Sequence, residues 1–365
     1  MAIATKPDTD CRESSFDGVH MHMVRYFPQL VEELGGDVTT LLTLAGLSPA
    51  NITEVNFGAT YRQLVILLEI AAVELGCPDF GMRLARLHGD WSLYGALGRV
   101  MRYAKTYGDA LDYVAQHCYA HSLATRVWYD RRASEEQVFV HHDMLLAGLP
   151  NRVQTIEQIM LLGQQHVMFL TGGRARGRRI HFRHQPVAPL SVYRQNFGCP
   201  VYFGQNEDGF AVSEQDFNCP HVHADEEAFR EAVGVIEREF VREDLPIHTR
   251  ARGIIMMSLA TGDCTNDRVA AELGMHRRTL LRKLGEAGTS FQKVKDEVRL
   301  DMMIYYLGET DLEFSRISER LGFSEQSVMT RLCHQWLAAS PTAFRAMRRA
   351  ETQSGKSMSQ SVKPA

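Results

Sequence analysis

Residues 61–75 (YRQLVILLEIAAVEL) are apolar on almost every side, which predicts a buried helix, and Gly76-Cys77-Pro78 supplies its stop. A second helix is predicted over 107–119, where Ala110, Leu111 and Val114 share one face. The period then changes. Residues 124–129 and 137–141 alternate as strands do, joined by the charged stretch 130–136. Helical spacing returns at 156–170, and 179–182 and 201–203 read as short strands. Ala228, Val235, Ile236 and Phe240 predict a helix from 225 to about 243, with an acidic start suited to a helix N-terminus, before Asp244-Leu245-Pro246 breaks the chain.

Beyond that break the pattern repeats. Residues 265–284 read TNDRVAAELGMHRRTLLRKL and residues 312–333 read LEFSRISERLGFSEQSVMTRLC. Aligned on Leu273-Gly274-Met275 and Leu321-Gly322-Phe323, each begins with a short amphipathic helix (Val269, Ala270, Leu273; Ile317, Leu321) that ends at a glycine. A second helix starts within three residues. Glycine there takes the left-handed conformation that turns one helix into the next, which is the helix-turn-helix pattern. One such match is frequent in any α-rich protein; two about 48 residues apart are rare by accident. The helix predicted between them, 291–307, places Val294, Val298, Met302, Tyr305 and Tyr306 on one face.

In the second helix of the first unit, Leu280 and Leu284 form the expected core pair, leaving Arg278, Leu281 and Arg282 on an adjacent stripe. The same alignment makes Val328 and Leu332 the core pair of the second unit, with Ser327, Thr330 and Arg331 on the stripe and Gln326 just before it. Arginine can make two hydrogen bonds to guanine and glutamine two to adenine, so these stripes suit base edges. The alternative is a plain solvated face. Arg277, Arg278, Arg282 and Lys283 crowd one helix with no acidic partner expected, which favours DNA contact over that alternative.

Length and charge sharpen the picture. A chain of 365 residues exceeds one ordinary core, so two domains are expected. The net charge of −4 hides a basic block at 250–350 on an acidic body, as a polyanion partner for that block alone would require. No apolar run approaches the roughly 18 residues of a membrane span, and the polar start lacks the order of a signal peptide, so a cytoplasmic, nucleoid-associated location is expected. The seven cysteines are scattered with no CxxC pair, against a disulfide framework or a zinc ribbon.

The expected fold class is an α+β N-terminal domain followed by an all-α C-terminal domain with two helix-turn-helix units. The expected boundaries are a disordered tail at 1–18, a sensing or oligomerisation domain at 19–224, a linker helix at 225–246, a DNA-binding domain at 247–350 and a disordered tail at 351–365.

Arg278-Thr279-Leu280, Arg282-Lys283-Leu284, Gly288 with Ser290-Phe291, Glu297 with Arg299, Leu321-Gly322-Phe323-Ser324, Trp336, Ser340-Pro341 and Phe344-Arg345 keep a common spacing. On these residues the block 250–348 resembles the AraC/XylS transcription regulators. The resemblance implies seven helices, with two recognition helices entering successive major grooves on one DNA face. Arg278, Leu281 and Arg282 would face the groove in the first unit, and Gln326, Ser327, Thr330 and Arg331 in the second, with Arg277 adding charge. Departures from the pattern are His276 in place of a serine cap, Met329 and Cys333 for two phenylalanines, His334-Gln335 for a basic pair, and Ala338 for a glycine. They imply a looser core and fewer phosphate contacts in the second unit.

Gly95-Ala96-Leu97-Gly98, the segment 106–110, and Tyr193-Arg194-Gln195-Asn196-Phe197-Gly198-Cys199-Pro200-Val201 with Phe203 resemble the arabinose-binding-type N-terminal domain of one branch of that family. This implies a small-molecule effector or a homodimer contact, RNA polymerase as a further partner, and, by analogy alone, activation. Trp91, Tyr94, Trp128 and Tyr129 are pocket candidates, although buried aromatics are more often plain core. The histidines of CPHVH (Cys219, His221, His223), the pair His141-His142 and His181 with His184 lack a recognisable ligand spacing, so no metal and no cofactor are expected. An enzyme finds no support: HExxH, GxSxG and GxxxxGK(S/T) are missing, and GGRARG at 172–177 lacks dinucleotide spacing. A DNA-packing protein is disfavoured by the large acidic part and the groove-reading stripes.

Overall fold

The computed structural model describes residues 18–19, 21–48, 59–88, 94–118, 121–132, 136–146, 148–149, 151–240, 246–259 and 262–360. The chain divides into two compact units, Met1–Met144 with Asn151–Phe240, and Leu145–Pro150 with Val241–Ala365. The expected tail at 1–18 falls almost wholly outside the described residues, as does Trp91.

In the first unit a short antiparallel pair, β1 (Gly18–Val19) and β2 (Ala59–Thr60), brackets α1 (Phe27–Glu33) and α2 (Val38–Leu44) in sequence. Thr60 caps α3 (Tyr61–Glu74): its hydroxyl accepts from the Gln63 amide, and the Gln63 side chain accepts from the Thr60 amide in return. After α4 (Phe80–Leu87) and α5 (Gly95–Tyr103), Thr106 and Asp109 repeat the device at α6 (Tyr107–His117).

The sheet is built from β3 (Thr125–Arg132), β4 (Gln137–Met144), β5 (Arg179–His181), β6 (Val201–Tyr202) and β7 (Gly209–Ser213), in the order β3-β4-β7-β5-β6. All neighbours run antiparallel except β5 and β6. β3 runs on to Arg132 through charged residues that read as a connection, because Asp130 pairs with Phe139 and the Arg132 guanidinium lies 4.0 Å over the Phe139 ring. Strand β7 has no counterpart in the sequence reading. Residues 209–212 are all buried, so no alternation exists there to read.

Against this sheet lies α7 (Val153–Leu170), a helix of buried residues on nearly every side, several of them polar. Three of its glutamines are each tied to a different segment: Gln158 donates to the Met23 carbonyl (3.0 Å), Gln154 to that of Pro78 (2.9 Å) and Gln164 to that of Phe197 (3.1 Å). Buried amides left unpaired would each cost about 1–3 kcal/mol, so these bonds fix where the surrounding loops sit. Two short helices follow, α8 (Leu190–Phe197) and α9 (Glu214–Phe217). The segment expected to be a linker is helical over α10 (Glu226–Phe240) and lies against α5, with Ala232 and Ile236 buried and Phe229 edge-on to Tyr113 at 6.0 Å, so it belongs to the first unit.

The regular elements of the second unit, among its described residues, are all helices: α11 (Ile247–Ser258), α12 (Asn266–Glu272), α13 (Arg277–Glu286), α14 (Phe291–Glu309), α15 (Phe314–Arg320), α16 (Gln326–Leu337) and α17 (Pro341–Gln360). α14 packs on α11, α15 and α17 through Val294, Val298, Met302, Tyr305 and Tyr306, the face its spacing predicts. α17 reaches Gln360, past 351 where a tail was expected, since no proline interrupts it after Pro341 until Pro364. Among the described residues no helix is long and apolar enough to cross a membrane.

The polar pins of α7 include a carboxyl group. Glu157 is fully buried, accepts from the Tyr193 hydroxyl at 2.5 Å, and is pushed up to about 8 by burial; Glu69, half-buried beside the start of α7, is pushed up to about 7. A carboxyl raised above its unfolded value stabilises the fold at low pH, and that contribution is lost as pH climbs through the folded value. Burial lowers His142, His166 and His221, whose contribution is complete above their ordinary value of 6.5. Between pH 7 and 9 Glu157 therefore contributes to the loss, beside the fully buried Asp208, which burial also raises. We expect the thermal midpoint to fall across that interval and Glu157→Gln to flatten the profile, gaining roughly a few kcal/mol at pH 9, as read by circular dichroism melts.

Candidate nucleic-acid interface

Thr265 caps α12, its hydroxyl accepting from the Arg268 amide at 3.2 Å, and Val269, Ala270 and Leu273 are buried beneath it. Gly274, at φ +65°, turns the chain toward α13. His276 caps that helix through Nδ1, which accepts from the Arg278 amide at 3.2 Å, so the substitute for serine still satisfies one orphan donor. Leu280 and Leu284 are fully buried. That pair turns Arg277, Arg278, Leu281 and Arg282 outward, with Leu281 39% exposed. The basic residues are not all free of acids as expected: Arg277 lies 3.5 Å from Asp267 and Arg282 lies 2.5 Å from Glu286. One turn separates Arg282 from Glu286 on the same helix face. All four side chains are more than half exposed, so such pairs are worth about 0–1 kcal/mol and yield readily to a polyanion.

The second helix-turn-helix corrects the alignment. Gly322 also stands at φ +65°, but Glu325 is the residue before α16, so the turn holds one residue more than the first. The equivalent positions of the two second helices therefore differ by 49, not 48. Met329 and Cys333 are the fully buried pair, and Val328 and Leu332 are only half-buried. The outward residues survive the shift: Arg277, Arg278, Leu281 and Arg282 correspond to Gln326, Ser327, Thr330 and Arg331, of which Thr330 alone is half-buried. The Ser327 hydroxyl donates to Glu325 at 3.0 Å. Ala338 ends α16 at φ +53°, the left-handed conformation for which a glycine is the usual residue.

Three basic side chains that are not outward hold the frame, and the sequence reading gave them no such role. From α14, Lys295 donates to the Cys264 carbonyl (2.8 Å) just ahead of α12, and Arg299 donates to the carbonyls of Leu321 (3.0 Å) and Gly322 (2.7 Å) in the second turn. Its guanidinium also covers the Phe323 ring at 4.3 Å. Arg345 on α17 reaches the Leu312 carbonyl at 2.6 Å and stacks over Phe314 at 4.5 Å. The signal was available for two of them, since Arg299 and Arg345 belong to the spaced set that carried the resemblance.

Residues 35–221 match the family model described as the arabinose-binding domain of AraC transcription regulators, N-terminal, and residues 269–347 match a helix-turn-helix domain. The HTH-type transcriptional regulator VirS of Mycobacterium tuberculosis is 31% identical over 320 residues, spanning 88% of this chain and 94% of that protein. The chain belongs to the AraC/XylS family. The ornithine utilization regulator of Pseudomonas aeruginosa is 24% identical over 322 residues, 87% of this chain and 93% of its own. Among solved structures, the regulator CdpR of Pseudomonas aeruginosa aligns over 84% of this chain and 96% of its own at 21% identity and a TM-score of 0.44. This AraC/XylS protein is thus a sequence-specific helix-turn-helix transcription regulator, and its regulatory relatives are consistent with a chain that is not an enzyme.

The first unit sorts the other candidates. Tyr94 lines an internal cavity, whereas Trp128 stacks on His141 at 3.5 Å and donates to Asp143 at 2.9 Å, and the Tyr129 hydroxyl bonds to Asp112. His141 lies 3.3 Å from both Asp130 and Glu207. Among the described residues no group of three or more His, Cys, Asp or Glu is placed to hold a metal ion.

The two turn glycines make a comparison. A Cβ at Gly274 would meet nothing within 4 Å, but at Gly322 it would lie 2.4 Å from the Leu259 carbonyl oxygen. Gly274→Ala is expected to cost about 1–2 kcal/mol for the left-handed backbone alone, and Gly322→Ala distinctly more. Ala338→Gly should stabilise by about 1 kcal/mol; denaturant titration of the three variants checks the order. Arg299→Ala should cost about 2 kcal/mol and, in footprints on bound DNA, lose protection over one half of the site before the other.

Proposed function

We propose that this regulator reads promoter DNA by setting α13 and α16 into successive major grooves, with Arg277, Arg278, Leu281 and Arg282 contacting DNA from the first and Gln326, Ser327, Thr330 and Arg331 from the second. One observation carries the reading: the same four positions, counted from a fully buried pair, face outward on both helices although the turns differ in length. The first unit senses a small-molecule effector, and the ligand acts by favouring one of two states of the DNA-bound protein. By family analogy the outcome is activation through contact with RNA polymerase, with a homodimer as the form that occupies paired half-sites, in the cytoplasm at the nucleoid.

The two helices are unequal in charge. α13 carries Arg277, Arg278, Arg282 and Lys283, while α16 offers Arg331 and begins beside the Glu325 carboxylate. The first helix-turn-helix accordingly supplies most of the affinity. The test uses a duplex selected from a random pool by the full chain. Arg282→Ala is expected to weaken binding by about 1–3 kcal/mol and to lower the salt slope, with Arg331→Ala weakening it less. A larger loss from Arg331→Ala reverses the ranking, and equal binding to unselected duplex removes the sequence-reading role altogether.

A further inference from the structure

The cavity in the first unit measures about 90 Å³ and lies among α5, α6, α7 and the inner faces of β3, β4 and β7. Its wall is mostly carbon, from side chains such as Leu97, Leu111, Val140, Ile159 and Phe210, and no Lys, Arg, Asp or Glu side chain lines it. We propose that it is the effector site and that it takes a small uncharged molecule with an apolar body and one hydrogen-bonding group, of the phenol or short-chain alcohol class. This inference rests on the reading of the first unit as a sensor.

Three features carry it. Charge comes first: an ion brought into this wall would leave water without a counter-charge, at a cost no contact here offsets. The histidines do not change that, because burial pushes His142 down to about 4 and His166 down to about 3, so both are neutral at neutral pH. Polarity comes second. His141 is already engaged by Asp130 and Glu207, whereas His142 lines the cavity and its Nδ1 is bonded to no other residue among those described. A buried polar atom in that condition is unusual and calls for a partner. A pentose, with a hydroxyl on nearly every carbon, would need far more partners than such a wall supplies. Size comes third: the volume is below the roughly 150 Å³ of an apolar cavity that holds benzene, which makes one six-membered ring the upper limit and requires the wall to yield for it. Met23, Met101 and Met160 in the wall are unbranched and can give way to admit it.

The experiment follows the thermal midpoint of the full chain with phenol, 1-butanol, benzoate, butylammonium and L-arabinose. Phenol or 1-butanol at ten times its dissociation constant should raise the midpoint by about 3–6 °C, and the charged probes and arabinose should not. Leu97→Phe, which takes up part of the cavity, should diminish the shift, measured against the variant's own unliganded midpoint. In the unmodified protein phenol should slow amide exchange around 140–142 and 159–163, a readout that needs no variant to fold. A shift with benzoate or arabinose and none with phenol or 1-butanol overturns the ligand class, as does exchange protection elsewhere. Binding of phenol at these amides with no change in affinity for the selected duplex would instead leave the site standing and remove the sensor role.

Discussion

On each helix proposed to enter DNA, two side chains one turn apart are sealed from water, and that seal decides which edge remains outside. Leu280 with Leu284, and Met329 with Cys333, fix the rotation of their helices as a keyway fixes a shaft. A rotation of the first helix by one residue, about 100°, toward Thr279 and Lys283 would carry Lys283 into the interior, where an unpaired ammonium costs several kcal/mol. The departures from the usual aromatic pair thus leave the anchoring intact: a methionine and a cysteine are as fully enclosed as two leucines.

Around that anchoring the second unit is arranged from its longest internal helix. Lys295 and Arg299 stand four residues apart on α14, so they project from one side, and each spends its charge on backbone carbonyls next to a different helix-turn-helix. Burial lowers Arg299 from its ordinary value, a cost met by two carbonyls and an aromatic face. The charge excess that marks this block from its sequence is therefore of two kinds, one turned to solvent and one employed in holding turns.

Much of this is legible in the amino-acid sequence. The buried helix from Tyr61, the hairpin of β3 and β4, both glycine turns and all eight outward residues follow from spacing and from family resemblance. What was not legible has physical causes. The extra residue in the second turn leaves no mark in composition, so a rigid offset from Leu273 to Leu321 put the core on Val328 and Leu332 when it lies one position on. β7 escaped because a strand covered on both faces has no period. The ion pairs of Arg277 and Arg282 depend on Asp267, from a neighbouring helix, and on Glu286, one turn further along. The cavity is assembled from segments as distant as Met23 and Phe210, which no local pattern connects.

The Arg282–Glu286 contact carries a consequence for discrimination between sequences. An arginine already held by a carboxylate gives up that bond to touch a base, so its gain on any duplex is a difference, not a total. Opposite guanine, two hydrogen bonds exceed one exposed ion pair; opposite a base that returns a single weak bond, the exchange is near even and the side chain stays at home. A resident acid one turn away would in this manner act as an internal competitor, trimming attachment to the wrong site more than to the right one.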